Sequence, residues 1–227
     1  MPLRALCLDF DGVIADTENH HVAAWQRTLG SLGWEVDDQL CARSLWQDDR
    51  SFLAELFQSR GVVGGDVEGW VRRKQELTKS LLADAPRVYP GVPELIRTVS
   101  ARIPVAVVTT TWRENARAVL GTVGLLDRIA LIVAKEDVDQ PKPHPEPYEE
   151  AVRRLGFPAG EVVAIEDTDS GMASALGAGL RVLLVGEAAT RHAPSERVLV
   201  LRDARGGPAH LGDVGRVLNA LGWSDSC

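Results

Sequence analysis

Two aspartates follow the first apolar run of the chain, with one residue between them. The stretch LCLDFDGVIADTE, residues 6–18, contains Asp9 and Asp11 directly after this run. Side chains of a strand alternate between its two faces, so both carboxylates can reach one point if the extended geometry continues. Two anions held this close together need a cation or a proton. The pair therefore indicates a metal site, an acid and base that act together, or both.

Three further polar groups follow other apolar runs. Thr109 comes after the second run, Lys142 lies in the loop DQPKPHPEPY, and Glu166 and Asp167 follow VVAI. Open parallel sheets bind ligands at the carboxyl ends of their strands, so we expect these groups to meet there. Carboxylate oxygens suit Mg²⁺, while a hydroxyl and a lysine suit phosphate oxygens. Together these residue types predict a site that handles a phosphoryl group.

The elements that position these residues follow from the apolar pattern. Six short β-rich runs predict strands, at residues 4–10, 105–110, 129–134, 162–167, 181–186 and 197–201. Helical patterns lie between most of them, and several end on glycine, which favours a helix C-terminus. Strands that are apolar throughout are typical of a parallel sheet covered on both faces. We therefore predict a doubly wound α/β fold.

Residues 16–86 interrupt this alternation of strands and helices. They contain no convincing strand, and helical patterns cover residues 21–33, 50–61 and 66–84. Four of the six tryptophans fall in this region and suggest a small core of its own, namely Trp25, Trp34, Trp46 and Trp70. The sequence predicts an α/β core from residues 1–15 and 87–227, with an all-helical module inserted at 16–86.

Composition excludes several classes of protein. The net charge of −7 comes without any run of lysine or arginine, so neither nucleic acid nor a membrane surface is an expected partner. No apolar stretch has the length of a membrane span, and the first ten residues lead into a strand rather than a signal peptide. Three widely spaced cysteines argue against a disulfide framework or a zinc site. We expect a cytoplasmic protein that acts on a small molecule as a monomer or weak homodimer.

Four motifs carry a family resemblance. LDFDGVIADTE, VVTTT, QPKPHPEPY and IEDTDSGMASALGAG resemble, in order, the four motifs of the haloacid dehalogenase-like (HAD) superfamily. The match covers nearly the whole chain and includes a helical cap inserted after the first motif. The resemblance implies a Rossmann-like HAD core. Within the superfamily, the chain is similar to the sugar-phosphatase and phosphoglucomutase branch that includes the CbbY group.

The resemblance also implies a role for each motif residue. Asp9 is the expected nucleophile that forms an aspartyl phosphate, and Asp11 is the expected acid and base. Mg²⁺ is the expected cofactor, held by Asp9, the backbone carbonyl of Asp11, Asp167 and Glu166. The two acids after VVAI could also cap the next helix.

Further residues are expected around the phosphate and the substrate. By the same resemblance, Thr109 and the backbone N–H of Thr110 hold phosphoryl oxygens, and Lys142 pairs with Asp9 and screens the phosphate. Gly12 is expected to permit the turn of the catalytic loop. Thr111, which precedes WREN, is the expected N-cap of the next helix.

Two residues of the inserted module match substrate-facing positions of that branch, His21 and Lys74. A packing histidine and a solvated helix lysine are the alternatives for these two residues.

The resemblance leaves the reaction open. The main interpretation is a Mg²⁺-dependent phosphatase that hydrolyses a sugar or ketose (bis)phosphate through an aspartyl phosphate. A β-phosphoglucomutase-like reaction, which returns the phosphoryl group to a sugar hydroxyl, uses the same motif residues. A phosphorylated receiver module of a signalling protein is a distant alternative, because receivers lack a helical insertion after their first strand.

Overall fold

The chain divides into two units in a computed structural model that describes residues 3–44, 47–203, 205 and 209–223. One unit comprises residues 1–16 and 87–227, and the other comprises Thr17–Pro86. The first contains the sheet and the second is helical. Each unit is described separately below.

The first unit is built on a parallel sheet of six strands within the described residues. These strands are β1 (Ala5–Leu8), β2 (Val105–Val108), β3 (Leu131–Val133), β4 (Val162–Glu166), β5 (Arg181–Leu184) and β6 (Val198–Val200). Their spatial order is β3-β2-β1-β4-β5-β6, and every neighbouring pair is parallel. Each predicted apolar run contains one strand, and the predicted doubly wound α/β fold is confirmed.

The helical unit contains four helices in the part that the structure describes. They are α1 (Glu18–Gly30), α2 (Asp38–Arg43), α3 (Asp49–Ser59) and α4 (Val67–Asp84). The last three begin at aspartates that accept backbone N–H groups: Asp37 from Leu40, Asp48 from Arg50 and Ser51, and Asp66 from Gly69. Such caps satisfy donors that a helix N-terminus leaves open. The sequence patterns predicted α1, α3 and α4 but not the short helix α2.

Tryptophans build the core of the helical unit, as predicted. Trp25 is fully buried, and its ring meets Phe52 edge-on at 5.0 Å. Trp34 meets Phe57 edge-on at 5.6 Å, and Trp70 packs against the same cluster. Edge-on contacts stabilise aromatic pairs beyond the burial of their area. Trp46 lies outside the described residues.

Helices cover the sheet of the first unit. They are α5 (Val92–Ser100), α6 (Arg113–Thr122), α7 (Glu146–Leu155), α8 (Asp169–Gly177), α9 (Ala188–Arg191) and α10 (Val214–Ala220). Alternate strand residues, among them Ala5, Cys7 and Ala164, pack with Tyr148 of α7 and Ala175 of α8 in one cluster. The residues between them, such as Leu6, are also buried. Burial on both faces explains why the strands are apolar throughout.

Among the described residues, none of the helices is both long enough and apolar enough to cross a bilayer.

Candidate active site

The candidate site lies where three adjacent strands end. Asp9 directly follows β1, Thr109 directly follows β2, and Glu166 is the last residue of β4. Because β1 lies between β2 and β4 and all three are parallel, their carboxyl ends meet at one edge. The backbone N–H of Asp9 donates to the carbonyl of Ile165, which continues the β1–β4 pairing into the site. The expected convergence of the motifs is therefore seen for these residues.

Lys142 bridges two of the carboxylates. Its Nζ lies 2.6 Å from Asp9 Oδ1, 2.6 Å from Glu166 Oε1 and 2.9 Å from the carbonyl oxygen of Val108. The lysine side chain is only 6% exposed. Burial alone would lower the pKa of Lys142, but the charges of Asp9 and Glu166 outweigh it and raise this pKa above its usual value. The ammonium group stays charged and holds both carboxylates.

Three carboxylates are arranged as a cation would require. One oxygen from each of Asp9, Glu166 and Asp167 lies within 4.8 Å of the others. Glu166 Oε2 and Asp167 Oδ1 are buried without a hydrogen-bond partner among the described residues. Burial, followed by the charge of nearby carboxylates, raises the pKa of Asp167.

One ammonium group cannot balance this charge. Lys142 forms ion pairs with Asp9 and Glu166, so when all three carboxylates are ionised their charge exceeds that of the one ammonium group by two. Unpartnered buried oxygens are costly, and hard oxygen donors of this kind are the ligands that Mg²⁺ prefers. The residues present therefore fit a divalent magnesium ion.

Asp11 and Thr109 face each other beside this cluster. Thr109 Oγ1 donates to Asp11 Oδ2 at 3.4 Å and accepts from the backbone N–H of Thr111 at 3.0 Å. Thr109 is buried, Asp11 is half-buried, and Thr110 is exposed. The metal contact of the Asp11 carbonyl and the phosphate contact of Thr110 stay predictions.

Gly12 shapes the loop that carries the two aspartates. Its φ of +88° is a backbone conformation that glycine adopts readily and other residues avoid. A Cβ at this position would lie 1.9 Å from Asp167 Oδ2. Gly12 thus permits the turn, as predicted, and also leaves the space that the Asp167 carboxylate occupies.

The capping prediction for Thr111 is wrong. The N-cap of α6 is Trp112, whose side chain accepts no hydrogen bond, and Arg113 at the first helical position donates its N–H to the Glu136 carboxylate at 3.1 and 3.2 Å. Thr111 Oγ1 instead accepts from Asn115 Nδ2 at 3.1 Å. An acid distant in sequence takes the place of a local cap.

The cap of α8 is also not one of the two acids. Thr168 is the N-cap, and its Oγ1 accepts from the N–H of Gly171 at 3.0 Å. The alternative that Glu166 and Asp167 merely cap this helix is therefore wrong. Both carboxylates belong to the cluster at the strand ends.

Sequence reasoning missed Tyr148 as part of this site. Tyr148 is fully buried, and its hydroxyl donates to Glu166 Oε1 at 2.5 Å. Burial, together with the charge of Glu166, raises the pKa of Tyr148 well above its usual value, so the phenol keeps its proton. The signal was present as the last residue of PKPHPEPY, but its partner is 18 residues away.

The two expected substrate residues of the helical unit contact each other. Lys74 is 1% exposed, and its Nζ lies 3.0 Å from both Asp49 oxygens and 3.0 Å from His21 Nδ1. Burial, then the charge of Lys74, lowers the pKa of His21 well below its usual value. The alternative of a solvated lysine is therefore wrong, whereas substrate contact by either residue stays a prediction.

Comparison with known proteins places this geometry in a family. The family model described as haloacid dehalogenase-like hydrolase matches residues 6–185. Fructose-1-phosphate phosphatase YqaB of Escherichia coli is 31% identical over 179 residues, which are 77% of this chain and 92% of that protein.

Solved structures agree with the sequence match. A mutant of CbbY from Rhodobacter sphaeroides in complex with xylulose-(1,5)bisphosphate has a TM-score of 0.74 and 29% identity, covering 87% of this chain and 93% of that one. The putative beta-phosphoglucomutase of Thermotoga maritima has a TM-score of 0.72 and 26% identity, covering 96% and 99%. With four motifs, the fold and the family model in agreement, the chain belongs to the haloacid dehalogenase-like hydrolases.

Proposed function

We propose that the chain is a Mg²⁺-dependent phosphatase of a sugar or ketose phosphate that reacts through an aspartyl phosphate. One observation carries this proposal: Lys142 bridges Asp9 and Glu166 within a cluster of three carboxylates at the carboxyl edge of the sheet. A nucleophile, a cation site and a fixed ammonium group at one point are what transfer of a phosphoryl group to a carboxylate requires.

In the first step Asp9 attacks phosphorus. A bond forms between a carboxylate oxygen of Asp9 and phosphorus, the phosphate ester bond breaks, and the sugar alkoxide takes a proton from Asp11. Lys142 fixes the Asp9 carboxylate through its 2.6 Å contact, so the nucleophile is already oriented before substrate arrives. When bound by Asp9, Glu166 and Asp167, Mg²⁺ would reduce the repulsion between the attacking carboxylate and the phosphate.

In the second step water attacks the aspartyl phosphate. Asp11 takes a proton from the water, the bond between phosphorus and the Asp9 oxygen breaks, and inorganic phosphate leaves. Thr109 Oγ1 lies 3.4 Å from Asp11 Oδ2. The hydroxyl that would hold phosphoryl oxygens and the carboxylate that takes the proton are therefore close to the same reacting group. Asp9 and Asp11 then return to their starting protonation states.

The relatives support a sugar phosphate as the substrate. The named activity of the Escherichia coli relative is on fructose 1-phosphate, and the CbbY structure holds xylulose-(1,5)bisphosphate. Both molecules are phosphorylated ketoses. We propose the same class for this chain, with His21 and Lys74 of the helical unit as substrate contacts and Thr110 and Gly12 as backbone contacts for the phosphate.

A mutase is the second candidate, supported by the likeness to the Thermotoga maritima protein. A mutase would use the same residues but return the phosphoryl group to a second sugar hydroxyl instead of water. Nothing favours a receiver module, because the family match covers both the first motif and the inserted helices.

The test is a screen of phosphorylated metabolites with and without Mg²⁺, in which released phosphate and isomerised sugar are both measured. We expect phosphate release from ketose phosphates and loss of turnover in Asp9→Asn, with Asp139→Asn, an exposed aspartate, as the matched control. Thermal melting should show that Asp9→Asn folds, because Lys142 keeps its contact with Glu166. Isomer formation without phosphate release would favour the mutase, and full activity after chelation would refute the metal requirement.

A further inference from the structure

We infer that Tyr148 is a positioning residue for the metal site: its hydroxyl fixes the Glu166 carboxylate so that Oε1 is held by the protein and Oε2 is left for the cation. This inference rests on the proposed function, since it concerns the magnesium ion of that site. Tyr148 is not among the residues that the sequence predicted to bind metal, phosphate or substrate or to act as acid and base.

The first support is the unequal use of the two Glu166 oxygens. Oε1 accepts two hydrogen bonds, from Lys142 at 2.6 Å and from Tyr148 at 2.5 Å. Oε2 is buried and has no hydrogen-bond partner among the described residues. A carboxylate that is fully buried and tied at one oxygen only presents the other oxygen in a fixed direction.

The second support is the close approach of backbone to the Glu166 carboxylate. A Cβ at Gly171 would lie 1.9 Å from Glu166 Oε2 and 2.1 Å from its carboxyl carbon. The carboxylate therefore rests against the backbone of the first turn of α8, in space that any larger residue would fill. The hydrogen bonds from Tyr148 and Lys142 and the close backbone at Gly171 together restrict the orientation of Glu166.

A packing role alone would not need the hydroxyl. The Tyr148 ring lies in the apolar cluster between the sheet and helices α7 and α8, where phenylalanine would pack equally well. The ring also lies 5.2 Å below the Lys142 ammonium, so removing only the hydroxyl leaves this cation–π contact in place. Tyr148→Phe therefore isolates the hydrogen bond to Glu166.

The experiment measures Mn²⁺ binding in the absence of substrate, by the EPR signal of the free ion. Outer partners of metal ligands typically change metal affinity by about 10- to 100-fold, so we expect Tyr148→Phe to bind Mn²⁺ about tenfold more weakly. Tyr89→Phe is the matched control, since Tyr89 is the other tyrosine and stacks on His210. It should bind Mn²⁺ as the wild type does.

A second variant crowds the Glu166 carboxylate directly. Gly171→Ala should weaken Mn²⁺ binding by at least tenfold, whereas Gly121→Ala, a helical glycine whose Cβ would meet nothing within 4 Å, should not. Unchanged Mn²⁺ affinity in Tyr148→Phe would overturn the inference, and weaker binding in Gly171→Ala alone would then leave the proposed function intact. Absence of Mn²⁺ binding in the wild type would overturn both.

Discussion

Lys142 should contribute strongly to the stability of the sheet unit, and Lys142→Met tests this. Methionine retains much of the apolar stem but removes the charge that contacts Asp9 and Glu166, each at 2.6 Å. At this separation and an effective dielectric constant of about 20, each contact corresponds to roughly 6 kcal/mol before desolvation is counted. Desolvation offsets most of this energy, because all three groups are buried.

The net cost follows from what the substitution leaves behind. Removing one partner of a buried ion pair typically costs about 3–5 kcal/mol, since the remaining charge loses its compensation. Here two carboxylates lose it together, but either can take up a proton and so limit the cost. We expect a loss of about 3 kcal/mol in the free energy of unfolding, which corresponds to a fall in Tm of roughly 6–12 °C.

Urea denaturation of Lys142→Met is the assay, with Lys79→Met as the matched control on an exposed lysine. Added Mg²⁺ should stabilise Lys142→Met at least as much as the wild type, because the ion supplies positive charge to the same carboxylates. A stability change of Lys142→Met no larger than that of Lys79→Met would refute the reasoning. The reasoning would also be refuted if Mg²⁺ stabilised the wild type but not Lys142→Met.

Three further predictions concern single residues. The pKa of His21 is lowered by burial, so below about pH 6.5 the unfolded chain binds a proton that the folded chain does not. The free energy of unfolding should be fully retained above that pH and should fall by up to about 1.4 kcal/mol per pH unit below it. Denaturation at several pH values should show that this free energy falls less steeply with decreasing pH in His21→Gln. Gly12→Ala should lower activity by at least about tenfold, because its Cβ would displace the Asp167 carboxylate. Gly33 also has a positive φ, but a Cβ there would meet open space. Gly33→Ala should therefore lose only the backbone cost of about 1–2 kcal/mol of stability, measured in denaturation assays. Thr168→Ala should lose about 1 kcal/mol of stability with its cap, measured by thermal melting, and Thr168→Ser should retain it.

The sheet could be predicted from the sequence because its strands are buried on both faces. Runs such as VAVV at 105–108 are apolar at every position, as expected for strands of a parallel sheet between two layers of helices. The short helix α2 was not predicted because six residues give too little periodicity to recognise. Its only local signal is the Asp37 cap, which lies in a stretch of acidic residues.

Contacts between distant residues could not be predicted in the same way. The motifs located Lys142 and Glu166, but the Tyr148 hydrogen bond depends on how α7 lies against β4. Likewise, the acid that receives the first N–H of α6 is Glu136, which follows β3. Propensity and spacing describe local geometry, whereas these contacts are fixed by packing.

The carboxylate cluster is compact because two glycines without a Cβ leave space for it. Gly12 and Gly171 lie far apart in the chain, yet the Cβ that each lacks would fall 1.9 Å from a carboxylate oxygen, of Asp167 and Glu166 respectively. Like charges repel, so carboxylates within 4.8 Å of each other would move apart wherever space allowed. The two carboxylates instead lie against backbone, and Lys142 and Tyr148 hold Glu166 by hydrogen bonds. The protein thus supplies the close approach of the anions, and the unpartnered oxygens are left for a cation to bind.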